Sequence, residues 1–305
     1  MNYIKRYLGL CLLCSMTVMT ACSRNEEIKV DSTEEIGVEE EASNDAEILN
    51  TDANSEEEAE SESNEGKVAE AEESEHPQNS NLQVLDAKTD LYDIKAGSTY
   101  GSVNGDAKSM FRIYEIAPND AVYQRIIGKS YVENPNISLS DLRYIKLLHY
   151  NYNHEIQVGE LITNKDLASD MINVFSQLYD QQYEIYSMYL IDEFWAGNGD
   201  DTDTASCDAN NTSCFCYRAQ TNSTKLSNHA LGRAIDINPV ENPYVLYKNG
   251  KAIWYHENSN GYIDRSVIKP HMITTSDASY IAFRNAGYTW GGAWNSVKDY
   301  QHFEK

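Results

Sequence analysis

The pattern of apolar and polar positions predicts two clear helices in the second half of the chain. One is indicated by apolar residues that recur at the helical spacing, namely Leu167, Met171, Val174, Phe175 and Leu178. Asn164 is placed to cap its start. The segment TTSDASYIAFRNAG, residues 274–287, predicts a second capped helix that ends at Gly287. The shorter run DAVYQRIIGKSY, residues 120–131, indicates a further short helix.

Other segments carry the apolar runs or the alternation typical of strands. These are SMFRIYEIAP (109–118), YSMYLIDEF (186–194) and ALGRAIDINP (230–239), while SLSDLRYIKLLHYNY (138–152) reads as a strand or a short helix. Asn-Gly pairs in KNGKAIWY (248–255) and NGYIDR (260–265) predict a hairpin region. Strands and helices are mixed without regular alternation, which predicts an α+β fold with a small antiparallel sheet and flanking helices.

The first residues resemble an export signal. Lys5 and Arg6 precede a short apolar run that ends in Met19-Thr20-Ala21-Cys22, which is similar to a bacterial lipoprotein cleavage box. We expect a signal peptide over 1–21, lipidation of Cys22, a location outside the cytoplasm and an anchor in the cell membrane. An ordinary secretory signal with an incidental cysteine is the alternative.

The negative charge of the chain is concentrated in one segment. Residues 23–76 contain 21 Asp and Glu against 3 Lys and Arg, whereas the 305-residue chain carries a net charge of −24. This segment lacks aromatic residues and has few large aliphatics, so 22–81 is predicted to be a disordered tether, and 82–305 the folded domain. No basic patch stands out, which disfavours nucleic-acid binding.

Three cysteines remain after the signal and Cys22 are set aside. Cys207, Cys214 and Cys216 lie within ten residues of one another, and their spacing is not a usual zinc pattern. A disulfide or free thiols are favoured over metal binding. The polar segment 195–213, WAGNGDDTDTASCDANNTS, lacks the ligand spacing of a calcium loop and is predicted to be an active-site rim.

The segment SNHALGRAIDINP, residues 227–239, holds the candidate chemistry. Asp236 lies between Ile235 and Ile237, which an extended chain buries on one face, so the carboxylate needs a charged partner. His229 and Asp236 supply two of the three ligands of a catalytic zinc site. His256, His271 and His302 are candidates for the third. Asp299 precedes His302 by three, the spacing that places two side chains on one face of a helical turn, where Asp299 could act as general base.

These motifs and their flanks resemble a family of bacterial cell-wall zinc peptidases, the VanY-like D-alanyl-D-alanine carboxypeptidases and related L-alanyl-D-glutamate endopeptidases. The family pattern S-x-H-x-x-G-x-A-x-D is met by Ser227, His229, Gly232, Ala234 and Asp236. The pattern W-G-G-x-W followed by D-x-x-H-F-E is met by Trp290, Gly291, Gly292, Trp294, Asp299, His302, Phe303 and Glu304. The resemblance covers about 137–305 well; Ala293 departs from it where an acidic residue is common.

The resemblance implies a role for each matched residue. His229, Asp236 and His302 would bind Zn²⁺ in a surface cleft, and Asp299 would be the catalytic carboxylate. Arg218 would polarise the scissile carbonyl or hold a substrate carboxylate, with a surface salt bridge as its alternative. Ser227 would orient the ligand loop or the substrate. Trp290 would line the cleft and contact substrate, with simple packing as its alternative.

The implied function is hydrolysis of peptidoglycan stem peptides, with D-alanyl-D-alanine carboxypeptidase activity favoured over L-alanyl-D-glutamate endopeptidase activity. A non-catalytic cell-wall-binding lipoprotein is the rival from another class. A solute-binding lipoprotein would explain the anchor and the tether but gives no reason for the His and Asp motifs.

Overall fold

The computed structural model describes residues 82–220, 223–295 and 297–305. The chain divides into two units, Met1–Ala69 and Glu70–Lys305, and every described residue lies in the second. The signal peptide, Cys22 and the tether lie outside the described residues and stay predictions. Within the described ranges, no helix combines the length and the apolar character needed to cross a membrane.

The described residues form short strands and four α-helices. The strands are β1 (Val84–Asp86), β2 (Thr99–Tyr100), β3 (Ser102–Asn104), β4 (Arg112–Glu115), β5 (Leu142–Tyr150), β6 (Ile156–Asn164), β7 (Ala234–Asp236), β8 (Tyr244–Lys248), β9 (Lys251–Ile253), β10 (Thr289–Trp290), β11 (Val297–Asp299) and β12 (His302–Glu304). The helices are α1 (Ala121–Ile126), α2 (Ala168–Asp180), α3 (Gly199–Asp208) and α4 (Ala278–Asn285).

The largest sheet has the strand order β2-β6-β5-β4, and its strands pair antiparallel. Its centre is the hairpin β5–β6, whose strands are almost entirely buried and carry apolar side chains on both faces, together with a few buried polar residues such as Lys146 and Glu160. Ile145 and Leu161 are cross-strand neighbours that pack into one core with α2, whereas Tyr144 and Ile162 face a second core with Ile126. The sheet is therefore covered on both sides.

Helix α2 packs through the predicted stripe, since Leu167, Met171, Val174, Phe175 and Leu178 are all buried. Its N-terminal cap position is Leu167, which makes no side-chain cap. The prediction that Asn164 caps the helix is wrong, because its Oδ1 accepts from the backbone N–H of Asp166 in the preceding turn. Helix α4 begins at its cap residue Asp277 and is followed by Gly287 at φ 88°, as predicted.

Two small antiparallel sheets, β10-β12-β7 and β11-β8-β9, are built from the last third of the chain, and a parallel pair β1–β3 lies near its start. Asn249 and Gly250, both at positive φ, turn the hairpin β8–β9, as the Asn-Gly pair predicts. Small antiparallel sheets with flanking helices confirm the α+β class.

Three local predictions are wrong. Residues 186–190 form no strand beyond an isolated bridge between Ser187 and Asn211, and a 3-10 helix, Ile191–Phe194, follows them. The backbone N–H groups of Tyr186 and Tyr189 donate to the side chains of Asn238 and Asn211, so side-chain amides replace a strand partner.

The predicted rim loop contains helix α3. The Asn198 side chain accepts from the N–H of Asp201, and acidic residues occupy the first turn, where they interact favourably with the helix dipole. The second Asn-Gly pair lies in a 3-10 helix, Glu257–Tyr262, and not in a hairpin. There Asn260 accepts a hydrogen bond from the Trp254 indole.

We predict that Phe283→Ala lowers the free energy of unfolding by about 3–5 kcal/mol. Phe283 is fully buried, stacks on Phe303 at 4.6 Å between ring centroids and meets Phe175 edge-on at 6.3 Å. The matched control is Ile281→Ala on the same helix, where the side chain is 47% exposed, and it should change stability by less than about 1 kcal/mol. Urea denaturation measures both; equal losses in the two variants would contradict the assignment of this core.

Candidate metal centre

Strand register brings two of the predicted ligands, Asp236 and His302, together. β12 pairs antiparallel with β7, and His302 lies directly opposite Asp236. Directly opposed residues in an antiparallel pair present their side chains on the same face, with Cβ atoms about 4.5–5.5 Å apart. The neighbouring pair, Phe303 and Ile235, points into the core and is fully buried. Because side chains alternate along a strand, the polar cluster lies on one face of the β7–β12 pair and the apolar core lies on the other.

The remaining predicted ligand, His229, is carried by a turn. His229 begins a 3-10 helix, His229–Leu231, which ends at Gly232 in the left-handed conformation at φ 63°. A Cβ at Gly232 would lie 2.6 Å from the backbone nitrogen of Asn164, and the Gly232 carbonyl accepts from Thr163 and Asn164 of β6. Glycine is required here by both the backbone conformation and the close approach, and this docking fixes His229 against the large sheet.

The three side chains form a compact cluster, in which one ligand atom from each lies within 4.8 Å of the other two. Two imidazole nitrogens and the two carboxylate oxygens of Asp236 make the short contacts. His229 Nε2 lies 3.2 Å from His302 Nδ1, His302 Nδ1 lies 3.0 Å from Asp236 Oδ1, and His229 Nε2 lies 3.2 Å from Asp236 Oδ2. Ligand atoms bound to one tetrahedral zinc ion at about 2.0–2.1 Å are separated by about 3.3 Å. The cluster has the size that a single zinc ion requires.

Hydrogen bonds on the far side of each ring fix which nitrogen faces the cluster. His229 Nδ1 donates to the Cys214 carbonyl oxygen at 2.6 Å, since a carbonyl can only accept. His302 Nε2 donates to Glu304 Oε2 at 3.1 Å, and Asn228 donates to the same oxygen at 2.7 Å. The nitrogen that faces the cluster therefore carries a lone pair in each neutral ring. Such outer partners orient metal-binding histidines.

Within the cluster, the carboxylate and the imidazoles shift each other's pKa. Burial opposes the charged carboxylate of Asp236, but His229 and His302 outweigh burial and lower its pKa. Burial also opposes the charged ring of His302, but hydrogen bonds to Asp236 and Glu304 outweigh it and raise its pKa to about 10. Without a cation, a proton must separate the two nitrogen lone pairs. A metal ion could take the place of that proton, and this donor set suits zinc.

His229, Asp236 and His302 are each less than a tenth exposed, and in the described part of the chain they form the one His/Cys/Asp/Glu group suited to a metal ion. The other histidine candidates lie elsewhere. His256 pairs with Asp208 at 2.7 Å, and His271 stacks on Tyr152. The choice of His302 as third ligand agrees with this geometry, and its place in a surface cleft stays a prediction.

Asp299 lies beside the cluster with part of its carboxylate free. Its Oδ2 is 4.0 Å from His302 Nδ1, and its Oδ1 is buried without a hydrogen-bond partner among the described residues. Burial raises the pKa of Asp299 to about 7. The predicted helical turn between Asp299 and His302 is wrong, since Asp299 ends β11 and His302 begins β12 in a different sheet. The chain crosses between the sheets at Tyr300 and Gln301.

The glycines of the W-G-G segment allow this crossing. A Cβ at Gly291 would lie 2.6 Å from the Asp299 carbonyl oxygen and 3.3 Å from the His302 Cβ. A Cβ at Gly292 would collide with the Trp290 ring. Only a glycine at 291 lets this segment pack directly against the backbone of Asp299 and His302.

Arg218 is engaged by an acidic residue that the sequence analysis did not single out. It forms a 2.8 Å salt bridge with Asp203 of α3, and its side chain is 9% exposed. Its Nε is buried without a partner among the described residues. The guanidinium of Arg218 is largely shielded in this pair, whereas Asp203 is 20% exposed, and a role for Arg218 towards substrate stays a prediction.

Ser227 connects Arg218 to the metal ligands. Its N–H donates to the Arg218 carbonyl, and its Oγ accepts from the N–H of His229 at 3.3 Å. Trp290 is packed in the core at 8% exposure and donates from Nε1 to the Tyr300 carbonyl. Trp294 lies closer to the cluster, with its ring 5.4 Å from that of His302. Contacts of Ser227 and Trp290 with substrate stay predictions.

The three cysteines are buried and free, so the free-thiol alternative and not the disulfide describes the structure. Burial raises the pKa of Cys214 to about 12. None belongs to the metal-binding group. Cys214 contributes through its backbone carbonyl, which no sequence signal identifies.

Glu304 is the other residue that the sequence analysis left without a role. Its spacing of two from His302 places both side chains on one face of a strand, so the H-F-E segment contained a usable signal. Asn228, next to Ser227, completes the hydrogen bonds of Glu304.

We predict that Glu304→Gln weakens zinc binding about 10- to 100-fold, because the His302 ring loses its carboxylate partner. Competition with a chromophoric chelator measures the affinity. Glu115→Gln, at a glutamate whose side chain is 84% exposed, should leave it unchanged. Unaltered zinc affinity in Glu304→Gln would show that the carboxylate does not support the ligand.

Comparison with known proteins gives one match. Residues 221–305 match a family model described as D-alanyl-D-alanine carboxypeptidase, and this range includes all three metal ligands and Asp299. Neither the curated proteins nor the solved structures contain a significant match. The match confirms, over residues 221–305, the resemblance to the D-alanyl-D-alanine carboxypeptidase family that the metal-ligand motifs indicate.

Proposed function

We propose that this protein is a zinc-dependent peptidase that hydrolyses peptidoglycan stem peptides, acting as a D-alanyl-D-alanine carboxypeptidase. The observation that carries the proposal is the cluster of His229, Asp236 and His302 with the unpartnered carboxylate oxygen of Asp299 beside it. The family match supports the peptidase class. The proposal places the chain outside the cytoplasm, as residues 1–22 predict.

A bound zinc ion would supply Lewis-acid chemistry, polarising the scissile carbonyl and acidifying a water molecule. His229, Asp236 and His302 would hold the ion. The two rings are already oriented by the Cys214 carbonyl and Glu304, so little reorganisation is needed on binding.

Asp299 is suited to the proton transfers. Its Oδ1 has no competing donor among the described residues, so it is free to take a proton from the attacking water and give it to the leaving nitrogen. Its backbone is fixed by the pairing of β11 with β8, opposite Tyr244, and by its close packing against Gly291. The base is therefore held in place by backbone contacts that do not occupy its side chain.

Arg218 is the residue that bears on which bond is cut. It is linked to the cluster through Ser227, whose N–H donates to the Arg218 carbonyl and whose Oγ accepts from the N–H of His229. A carboxypeptidase needs a cation for the free carboxylate of its substrate, and an arginine suits this purpose. The salt bridge with Asp203 already uses part of that capacity. This observation favours L-alanyl-D-glutamate endopeptidase activity as the second candidate.

A synthetic stem pentapeptide with a D-alanyl-D-alanine end, supplied as the free acid and as the C-terminal amide, separates these functions. We expect mass spectrometry to show release of one D-alanine from the free acid and much slower reaction of the amide. Release of L-alanine from both peptides would indicate the endopeptidase. Zinc binding without any cleavage product would favour the non-catalytic cell-wall-binding alternative.

We predict that Asp299→Asn retains one zinc ion per chain but loses turnover by about 100-fold or more, because the variant keeps the shape of the side chain without the base. His302→Ala should lose both zinc and turnover, since it removes a ligand. Metal analysis and the pentapeptide assay measure the pair, with the exposed Asp264→Asn as control. Full activity in Asp299→Asn would show that another group acts as the base.

A further inference from the structure

The face of the large sheet away from α2 borders a cavity of about 740 Å³, within the range of small-molecule sites. It shares no lining residue with the metal-binding cluster. Its walls include four aromatic rings, those of Tyr92, Tyr144, Tyr189 and Phe194. Its charged lining residues are Asp93, Lys95, Arg125, Lys146, Glu160 and Glu193.

Lys146 is the unusual member of this set. It lies in the middle of β5 and is 1% exposed, yet it lines the cavity. Its ammonium group has three N–H donors. Among the described residues it makes one hydrogen bond, to the Ile94 carbonyl oxygen at 2.7 Å, and no salt bridge. A buried charge with such incomplete pairing is costly.

The carboxylate nearest in register does not neutralise Lys146. Glu160 lies directly opposite it on β6 but turns its carboxylate to Arg125, which binds both oxygens at 2.9 and 2.5 Å. Tyr144 and the Leu190 N–H donate to the same carboxylate. Arg125 also pairs with Glu193. The Glu160 carboxylate is therefore fully engaged, and among the described residues Lys146 has no carboxylate within salt-bridge distance.

Among the described residues, none of the other charges at the cavity pairs with Lys146. Arg125, which lines the same cavity, adds a positive charge that lowers the pKa of Lys146. Asp93, Lys95 and Glu193 are exposed at the cavity rim, where water screens them. Burial lowers the pKa of Lys146 to about 8, and Glu160 only partly offsets this.

We propose that this cavity is a binding site for a small sugar acid, whose carboxylate pairs with Lys146. A carboxylate supplies acceptors for the two free N–H groups and neutralises the buried charge. The body of the ligand lies between the rings of Tyr92, Tyr144 and Tyr189, each of which carries a hydroxyl group. Tyrosine offers both an apolar face and a polar edge, which matches the apolar C–H faces and the hydroxyl edges of a pyranose ring. The site is independent of the proposed peptidase activity.

Isothermal titration of the full chain with sodium glucuronate and with glucose tests the proposal. We expect saturable binding of glucuronate and at least about tenfold weaker binding of glucose, because glucose lacks the charged partner. Lys146→Met should bind glucuronate at least about tenfold more weakly than the native chain. Lys88→Met, at an exposed lysine outside the cavity, should bind as the native chain does. Equal affinities for the two sugars, or undiminished binding by Lys146→Met, would overturn the proposal.

A measurement on the native chain removes any dependence on the folding of Lys146→Met. The ¹³Cε resonance of Lys146 reports its pKa by NMR. Glucuronate should raise that pKa, since a bound carboxylate stabilises the charged form. By the same linkage, affinity should fall as the pH rises above about 8. An unchanged pKa at saturating glucuronate would show that the carboxylate does not reach Lys146.

Discussion

The antiparallel pairing of β7 with β12 is the interaction on which the site depends. It places His302 opposite Asp236 on one face, and it buries Ile235 against Phe303 on the other. The same few hydrogen bonds therefore build the core and the metal-binding cluster. A shift of one residue in register would turn the ligands into the core and the apolar side chains out of it. The apolar partners thus protect the position of the ligands.

The cluster also shows how a buried polar site is stabilised by the protein's own side chains and backbone. Asp236 is a carboxylate at 3% exposure whose charge is balanced by two imidazoles. Each imidazole is in turn held by an acceptor behind it, the Cys214 carbonyl or Glu304. Every partner is satisfied except Asp299 Oδ1, and the one unsatisfied oxygen of this group is the atom assigned to proton transfer. A buried polar atom without a partner calls for an explanation, and a catalytic role is one explanation that fits the position of Asp299.

The sequence predicted the ligands better than it predicted their surroundings. The spacings alone are weak signals, and His229, Asp236, His302 and Asp299 were singled out because their flanking residues resemble those of the peptidase family. The strand crossing between Asp299 and His302 could not be predicted, since it depends on β11 and β12 joining different sheets, and pairing between distant segments is not encoded locally. Helix α3 was missed because its residues are mostly polar, so only the Asn198 cap and the acidic first turn indicate it. Lys146 did leave a signal, a lysine within a continuous apolar strand, but the pairing of Glu160 with Arg125 that isolates it is visible only in three dimensions.

X-ray absorption spectroscopy of the full-length, zinc-loaded protein tests the central claim most directly. The geometry predicts one zinc ion per chain with nitrogen and oxygen ligands at about 2.0–2.2 Å, and with the outer-shell scattering of two imidazole rings. A zinc–sulfur distance of about 2.3 Å would move the site to the cysteines and contradict the assignment. Failure of the protein to retain zinc at all would contradict it equally.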